Sequence, residues 1–259
     1  MTLTIRRLTE PTQDIEDFLR QDIPLNGLPL YDLTLAWDIT EWFIAEDEKV
    51  IQGCLIIYKG GRGMVSFFTR GTLDAVHQLV DHLSYPSVFA ILPENHVPVL
   101  EKHYQFLTHG KFLLMKLEPE QYNPPEILPT ERLSANNLDE VDQFYQVTPA
   151  GAWNPRQLDI GPFHGVRQDN TLISVCGTLG VYKPSPGVAV IGNLATLPRY
   201  QQRGFGTSVL CGVINDLFQK YQYVTLLVES DNINAIRIYE RLGFIHYATF
   251  TIGICQQIE

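Results

Sequence analysis

The sequence predicts an α/β (α+β) chain organised as two halves of related plan, and three observations point there. Strand-like apolar runs alternate with helix-like ones along the whole length. Pro124-Pro125 interrupts regular structure inside "LEPEQYNPPEILPTERLS". The restart that follows, strand-like "EILPTERL" and then helix-like "NNLDEVDQFYQV", repeats the opening of the chain, where "LTIRRLTEP" leads into "TQDIEDFLRQ". The 259 residues thereby divide into two units of ordinary domain size, 1–123 and 124–259.

In the first half, strands are expected around "EWFIAEDE", "VIQGCLIIYKG" and "GMVSFFTR". A helix "TLDAVHQLVDHL", a strand "SVFAIL", a helix "NHVPVLEKHY" and a strand "KFLLMKLE" follow. Gly60, Gly61 and Gly63 in "YKGGRGMV" read as a hairpin turn; a phosphate loop is the weaker alternative, because no helix follows directly. In the second half, "TLISVCGTLGVYK" and "GVAVIGNLATLP" read as strands separated by the turn residues "PSPG". Leu210, Val213, Ile214 and Leu217 fall at i, i+3, i+4 and i+7, one buried helical face. The strand "YVTLLVES" leads to "DNINAIRIYERLGF", a short helix with an Asp or Asn cap and a stop at Gly243, and "ATFTIGICQQ" closes the chain as a strand.

Composition narrows the function. Hydrophobic residues make up 45% and charged residues 19%, enough apolar material for a real core. A net charge of −10 argues against broad nucleic-acid or anionic-membrane binding, which need basic surface. Cys54, Cys176, Cys211 and Cys255 are scattered, with no CxxC and no histidine at metal spacing, so no metal is expected; Cys54, Cys176 and Cys255 sit among strand-like apolar residues and read as buried free thiols. "MTLTIRRLTE" lacks the apolar centre of a signal peptide, and no run reaches membrane-span length; both point to the cytoplasm.

The stretch with most chemical content is "PRYQQRGFGTSV", residues 198–209. Gly204 and Gly206 stand between a strand and an amphipathic helix, where unpaired backbone N–H groups and the helix dipole favour an anion. Glycines let the backbone approach phosphates closely, and Arg203 adds a pairing charge. A glycine-bearing turn at a plain helix start is the alternative. A P-loop is excluded because no lysine follows Gly206, and a dinucleotide fingerprint because position 209 is Val209.

Two motifs together are more specific. "QQRGFG" (Gln201 to Gly206) resembles the QxxGxG pyrophosphate loop of the GNAT superfamily of acyl-CoA-dependent N-acyltransferases. Downstream, "NINAIRIYERLGF" (Asn232 to Phe244) resembles that superfamily's NxxAxxxYxxxGF segment. "IGNLATLPRYQQRGFGT" is similar to its fourth strand running into the loop. "WNPRQLDIGPFHGVRQDNTLISVCGTLGVY" resembles the FR-forty-seven-like and glycine-acyltransferase-like members. The likeness covers roughly residues 127 to 259. It implies tandem GNAT-like domains, each a mixed, mostly antiparallel central sheet flanked by helices, with acetyl-CoA as cosubstrate and an amine as acceptor.

By this resemblance the backbone from Gln202 to Thr207 (Gln202, Arg203, Gly204, Phe205, Gly206, Thr207), with Gln201, cradles the pyrophosphate. The bulged strand from Asn193 to Thr196 receives the pantetheine arm by strand-like pairing. A backbone N–H of Leu194 or Ala195 polarises the thioester carbonyl, and Thr196 borders the same arm. Amine attack gives a tetrahedral intermediate that expels a thiolate, which Tyr239 protonates as general acid; a phenol of pKa about 10 still carries its proton at neutral pH. The plain alternative for Tyr239 is a helix-face aromatic. Asn232 caps its helix and is a candidate pantetheine ligand, and Ala235 is small where the coenzyme passes.

The general base is open. "GVAVIGN" has no carboxylate where some histone-directed relatives carry a glutamate, which counts against that mechanism. His164 is the first candidate, with Glu229 and His246 behind it, and structural roles are the alternative for each. Trp153 and Phe163 are candidates for an acceptor pocket or for the core. The first half keeps only Gly71 in "FFTRGTLDAVHQLVDHL", so it resembles a degenerate copy that has lost coenzyme binding and supports the other half. Trp37, Trp42 and Phe43 are candidates for a wall of the acceptor site, with core packing the stronger expectation. The expected activity is N-acetyl transfer to a small amine or amino-acid-like acceptor. The alternatives are a non-catalytic acyl-CoA sensor or scaffold, or transfer to a protein N-terminus or lysine.

Overall fold

The computed structural model describes residues 3–60, 64–148 and 153–258. The first half runs β1 (Thr4–Arg7), α1 (Gln13–Arg20), α2 (Gly27–Leu35), β2 (Thr40–Asp47), β3 (Val50–Tyr58), β4 (Ser66–Gly71), α3 (Leu73–Val80), β5 (Ser87–Pro93), α4 (Val97–Leu100) and β6 (Tyr104–Leu117). The second half repeats the same order of types. It runs β7 (Glu131–Leu133), α5 (Leu138–Val147), α6 (Gln157–Ile160), β8 (Phe163–Gln168), β9 (Thr171–Tyr182), β10 (Val188–Thr196), α7 (Phe205–Leu217), β11 (Tyr223–Glu229), α8 (Ile233–Leu242) and β12 (Ile245–Gln257). Gly61 and Gly63 lie outside the described residues.

Where local chemistry was strong, the elements form as read. Leu210, Val213, Ile214 and Leu217 are all fully buried on α7. Asn232 caps α8 by accepting the Ala235 N–H at 3.1 Å. Gly243 ends α8 at φ +100°, where a Cβ would lie 1.9 Å from the Gln121 carbonyl oxygen. Other elements depart from the reading. "EILPTERL" yields only the three-residue β7, since Pro129 withholds a ladder donor. Three elements, α2, α6 and β8, were not anticipated.

Among the described residues twelve strands form one sheet in the order β1-β2-β3-β4-β5-β12-β6-β11-β10-β9-β8-β7. Pairing is antiparallel except β4 with β5 and β10 with β11. The last strand of each half lies inside the other: β12 stands between β5 and β6, and β6 between β12 and β11. The largest core cluster joins α7 and α8 to this seam, packing Leu210, Ile214 and Tyr239 with Met115, Leu117 and Val228.

The two parallel pairs part before their ends. β10 and β11 are in register only from Val188–Tyr223 to Ile191–Leu226. Beyond that point Leu227–Glu229 pair with β6 alone, and Gly192, Ala195 and Thr196 with β9 alone. A V-shaped gap opens between them. The equivalent gap of the first half, beyond Phe68 and Ile91, is filled with its own side chains. Arg70, 5% exposed, donates to Asn26 Oδ1 (2.6 Å), the Thr69 carbonyl (2.7 Å) and the Leu25 carbonyl (3.1 Å). His96 bridges Thr69 Oγ1 (2.8 Å) and the Gly71 carbonyl (3.2 Å). Among the described residues no helix is long and apolar enough to cross a membrane.

Candidate active site

The gap between β10 and β11 is set up by a bulge. Asn193 takes φ +54°, and neither it nor Leu194 is in register with either neighbouring strand. Tyr145 donates to the Asn193 carbonyl at 2.6 Å, and Asn193 Nδ2 donates to Gln157 Oε1 at 2.7 Å, fixing the bulge from the α5 and α6 side. Ser174 Oγ bonds the Ala195 carbonyl (3.2 Å) and Thr196 Oγ1 (2.8 Å). Ala195 and Thr196 thus define one lip of the gap.

From that lip the chain runs through residues 197–204 to the start of α7. Gln201 Nε2 donates to the Thr196 carbonyl at 3.1 Å, so its side chain ties the loop to the strand. Gln202 (φ +60°) and Gly204 (φ +84°) turn the backbone, and no side chain caps the helix. Among the described residues the N–H groups of Gln202, Arg203, Gly204, Phe205, Gly206 and Thr207 find no backbone acceptor. A Cβ at Gly204 would meet nothing within 4 Å, and one at Gly206 would come 3.2 Å from Thr196 Oγ1. Arg203 and Arg199 both lie over the Tyr200 ring (5.8 and 4.9 Å), and among the described residues neither pairs with a carboxylate. The result is an open cluster of N–H donors and two cations at a helix N-terminus, a cradle suited to a phosphate dianion. The first half closes the same place: β4 joins α3 through Thr72 alone, whose hydroxyl accepts the Ala75 N–H.

On the α8 side Tyr239 is 8% exposed, its ring edge-on to Phe244 at 5.7 Å. Its hydroxyl has no hydrogen-bond partner among the described residues. Burial, reinforced by neighbouring Cys176, pushes its phenol above the ordinary tyrosine range. Cys176 in turn donates weakly to the carbonyl of Gly192, where the gap begins. Ala235 is half-buried one turn before Tyr239, and Asn232 is exposed at the helix start.

Residues 132–244 match the sequence model of the Acetyltransferase (GNAT) family. Over those residues the chain is similar to GNAT acetyltransferases, a likeness that implies transfer of an acyl group from acyl-coenzyme A to an amine. Solved structures extend the likeness to both halves. A Novosphingobium aromaticivorans protein assigned to the GNAT family is 19% identical, with a TM-score of 0.66 over 92% of this chain and 100% of its own. A Drosophila protein is 14% identical, with a TM-score of 0.67 over 97% and 98%. A tandem GNAT protein from the clavulanic acid biosynthesis pathway is 11% identical, with a TM-score of 0.61 over 98% of each chain. At these identities the likeness is one of fold, and the fold is a tandem GNAT-like one. No curated protein matches the chain.

Against this GNAT frame the sequence candidates separate. Leu194 to Thr196 end β10, Gln201 to Thr207 span the loop and first turn of α7, and Asn232, Ala235 and Tyr239 are the cap and body of α8, so all border the gap. Glu229, exposed, ends β11 and accepts the Asn232 N–H on its backbone carbonyl, at the mouth of the gap. His164 does not join them. Its Nδ1 bonds Thr130 Oγ1 (3.0 Å) and its Nε2 bonds Asp216 Oδ2 (3.1 Å), roughly 15 Å along α7 from Gly206. Both nitrogens are engaged, so His164 is a strut between β8 and α7. His246 is exposed on β12, bonds Thr249 Oγ1 at 3.1 Å, and has β6 between it and β11. Trp153 and Phe163 are core: the indole donates to Asp142 at 3.0 Å and lies edge-on to the Phe163 ring. Trp37 stacks on the fully buried Trp42, and Phe43 packs against His82. Arg199 was missed, though its place in "PRY", two residues before the loop motif, was a readable signal.

Proposed function

We propose that the protein is an N-acetyltransferase that moves an acetyl group from acetyl-CoA to the primary amine of a small or amino-acid-like acceptor. The observation that carries this reading is the pairing of an open N–H cradle at α7 with the partnerless hydroxyl of the largely buried Tyr239 across the same gap. The donor set fits the coenzyme: six unpaired N–H groups with Arg199 and Arg203 for phosphates, and unpaired strand edges for an amide-bearing arm. When bound, the thioester supplies the electrophilic carbonyl carbon.

The chain's own groups supply the rest. The backbone N–H of Leu194 or Ala195 polarises the carbonyl oxygen. The acceptor nitrogen forms its bond to the carbonyl carbon as the carbon–sulfur bond breaks, and the leaving sulfur takes the proton held on Tyr239 Oη. Its raised pKa keeps that proton in place at neutral pH. The proton lost by the amine passes to Glu229 through water, since Glu229 is the candidate base that borders the gap. Residues 1–123 act as the silent half and residues 124–259 as the catalytic one.

Tyr239→Phe is the test. It should cut kcat by about 10²-fold or more with acetyl-CoA affinity retained. Unchanged turnover in that variant would remove Tyr239 from the chemistry. An absence of turnover with any amine, despite acetyl-CoA binding, would make the protein a sensor.

A further inference from the structure

The strongest unexplained feature is a carboxyl with nothing to hold. Asp32, on α2, is 3% exposed, and its Oδ2 is fully buried without a hydrogen-bond partner. Among the described residues no cation faces it closely, and burial drives its carboxyl well above the ordinary range. The nearby charges, Asp38 and Arg156, pair with each other at 4.0 Å on the surface. The Tyr31 and Tyr58 hydroxyls are near enough to feel the Asp32 charge, and neither has a hydrogen-bond partner among the described residues. Asp32 forfeits its hydration without a partner, which packing alone does not explain, and the two half-buried phenols beside it are unpartnered as well.

Their position ties them to the gap. Although α2 belongs to the first half, it lies on β9 and β10 of the second: a Cβ at Gly27 would come 2.8 Å from Val190 Cγ2, and one at Gly180 would come 2.8 Å from the Tyr31 ring. Val190 is one residue before the last paired position of β10. A short chain of bonds also joins the bulge to this corner. Gln157 Oε1 accepts from both Asn193 Nδ2 (2.7 Å) and the Asn154 N–H (3.1 Å), and Asn154 Nδ2 reaches the Gly60 carbonyl (3.4 Å) beside the Tyr58 hydroxyl.

We infer that Asp32, with the hydroxyls of Tyr31 and Tyr58, forms the subsite for a cationic group of the acceptor, supplied by the first half to the active site of the second. The inference rests on the acyl-transfer reading and names its substrate class: a small molecule with a second cationic nitrogen besides the one acylated. The two nitrogens must differ, because an amine held against a carboxylate keeps its proton and cannot attack. An ammonium at Asp32 satisfies the carboxylate and both phenol oxygens together.

The test uses the full-length protein with acetyl-CoA and two probes of equal chain length, 1,4-diaminobutane and n-butylamine. The wild type should favour the diamine by about 10-fold or more in kcat/KM, mainly through KM, as expected for a charged hydrogen bond. Asp32→Asn should lower kcat/KM for the diamine about 10-fold more than for the monoamine. Tyr58→Phe should lower the ratio in the same sense, and it serves alone if Asp32→Asn does not fold. Equal use of the two amines by the wild type, or a ratio that both variants leave intact, overturns the subsite. Acetyl-CoA binding, measured on the same samples, separates the failures. If it persists without discrimination, only the subsite falls; if it is absent, the acyl-transfer reading falls with it.

Discussion

At the residue scale, Tyr239 and His96 show how the same burial serves opposite ends in the two halves. Tyr239 keeps a free hydroxyl at an open gap, whereas His96 spends both ring nitrogens closing one. Burial and the neighbouring Arg70 push the His96 imidazole down to about 4, so it is neutral in the fold. A depressed folded value means stability that is present above the ordinary histidine pKa of about 6.5 and is lost as pH falls through the folded one. The melting temperature of the wild type should therefore fall more steeply between pH 7 and pH 4 than that of His96→Gln. Parallel melting curves across that range would show that His96 does not titrate there. Single residues were unevenly legible. Tyr239 sat inside a dense motif, but nothing near His164 in sequence announces Thr130 or Asp216, which arrive from 34 and 52 positions away. Asp32 was invisible, since nothing near it in sequence announces that α2 packs on β9 and β10 of the other half.

At the scale of elements, what was readable was what local chemistry determines. Caps, glycine stops and the α7 face need only neighbours a few residues away. The helix α2, "GLPLYDLTL", is apolar on nearly every side because it is covered by both halves, so it shows no amphipathic period to read. Strand order was beyond the sequence for another reason: the β6–β12 exchange is set by long-range pairing. It has a consequence for the proposed boundary at residues 123 and 124. Each half lends the other a central strand, with β12 in register with β5 from Phe250 to Gln256 and β11 with β6 from Val224 to Glu229. Residues 1–123 and 124–259 expressed separately should thus remain unfolded, and co-expression should recover a complex with native circular dichroism. A half that folds alone with a cooperative melt would contradict the exchange.

At the scale of the whole molecule, two copies of one plan have been put to different uses. The second half leaves the gap between its parallel strands open, with an uncapped helix start beside it. The first fills the equivalent gap with Arg70 and His96 and caps its helix with Thr72. It completes the sheet and lays α2 against β9 and β10 of the second half. The most direct measurement of this asymmetry is calorimetric titration of the full-length protein with acetyl-CoA, alongside Gly206→Glu. The account predicts saturable binding at one site per chain, weakened at least about 10-fold by the acidic side chain placed among the phosphate-facing N–H groups. No binding, two sites per chain, or an affinity indifferent to Gly206→Glu would contradict it.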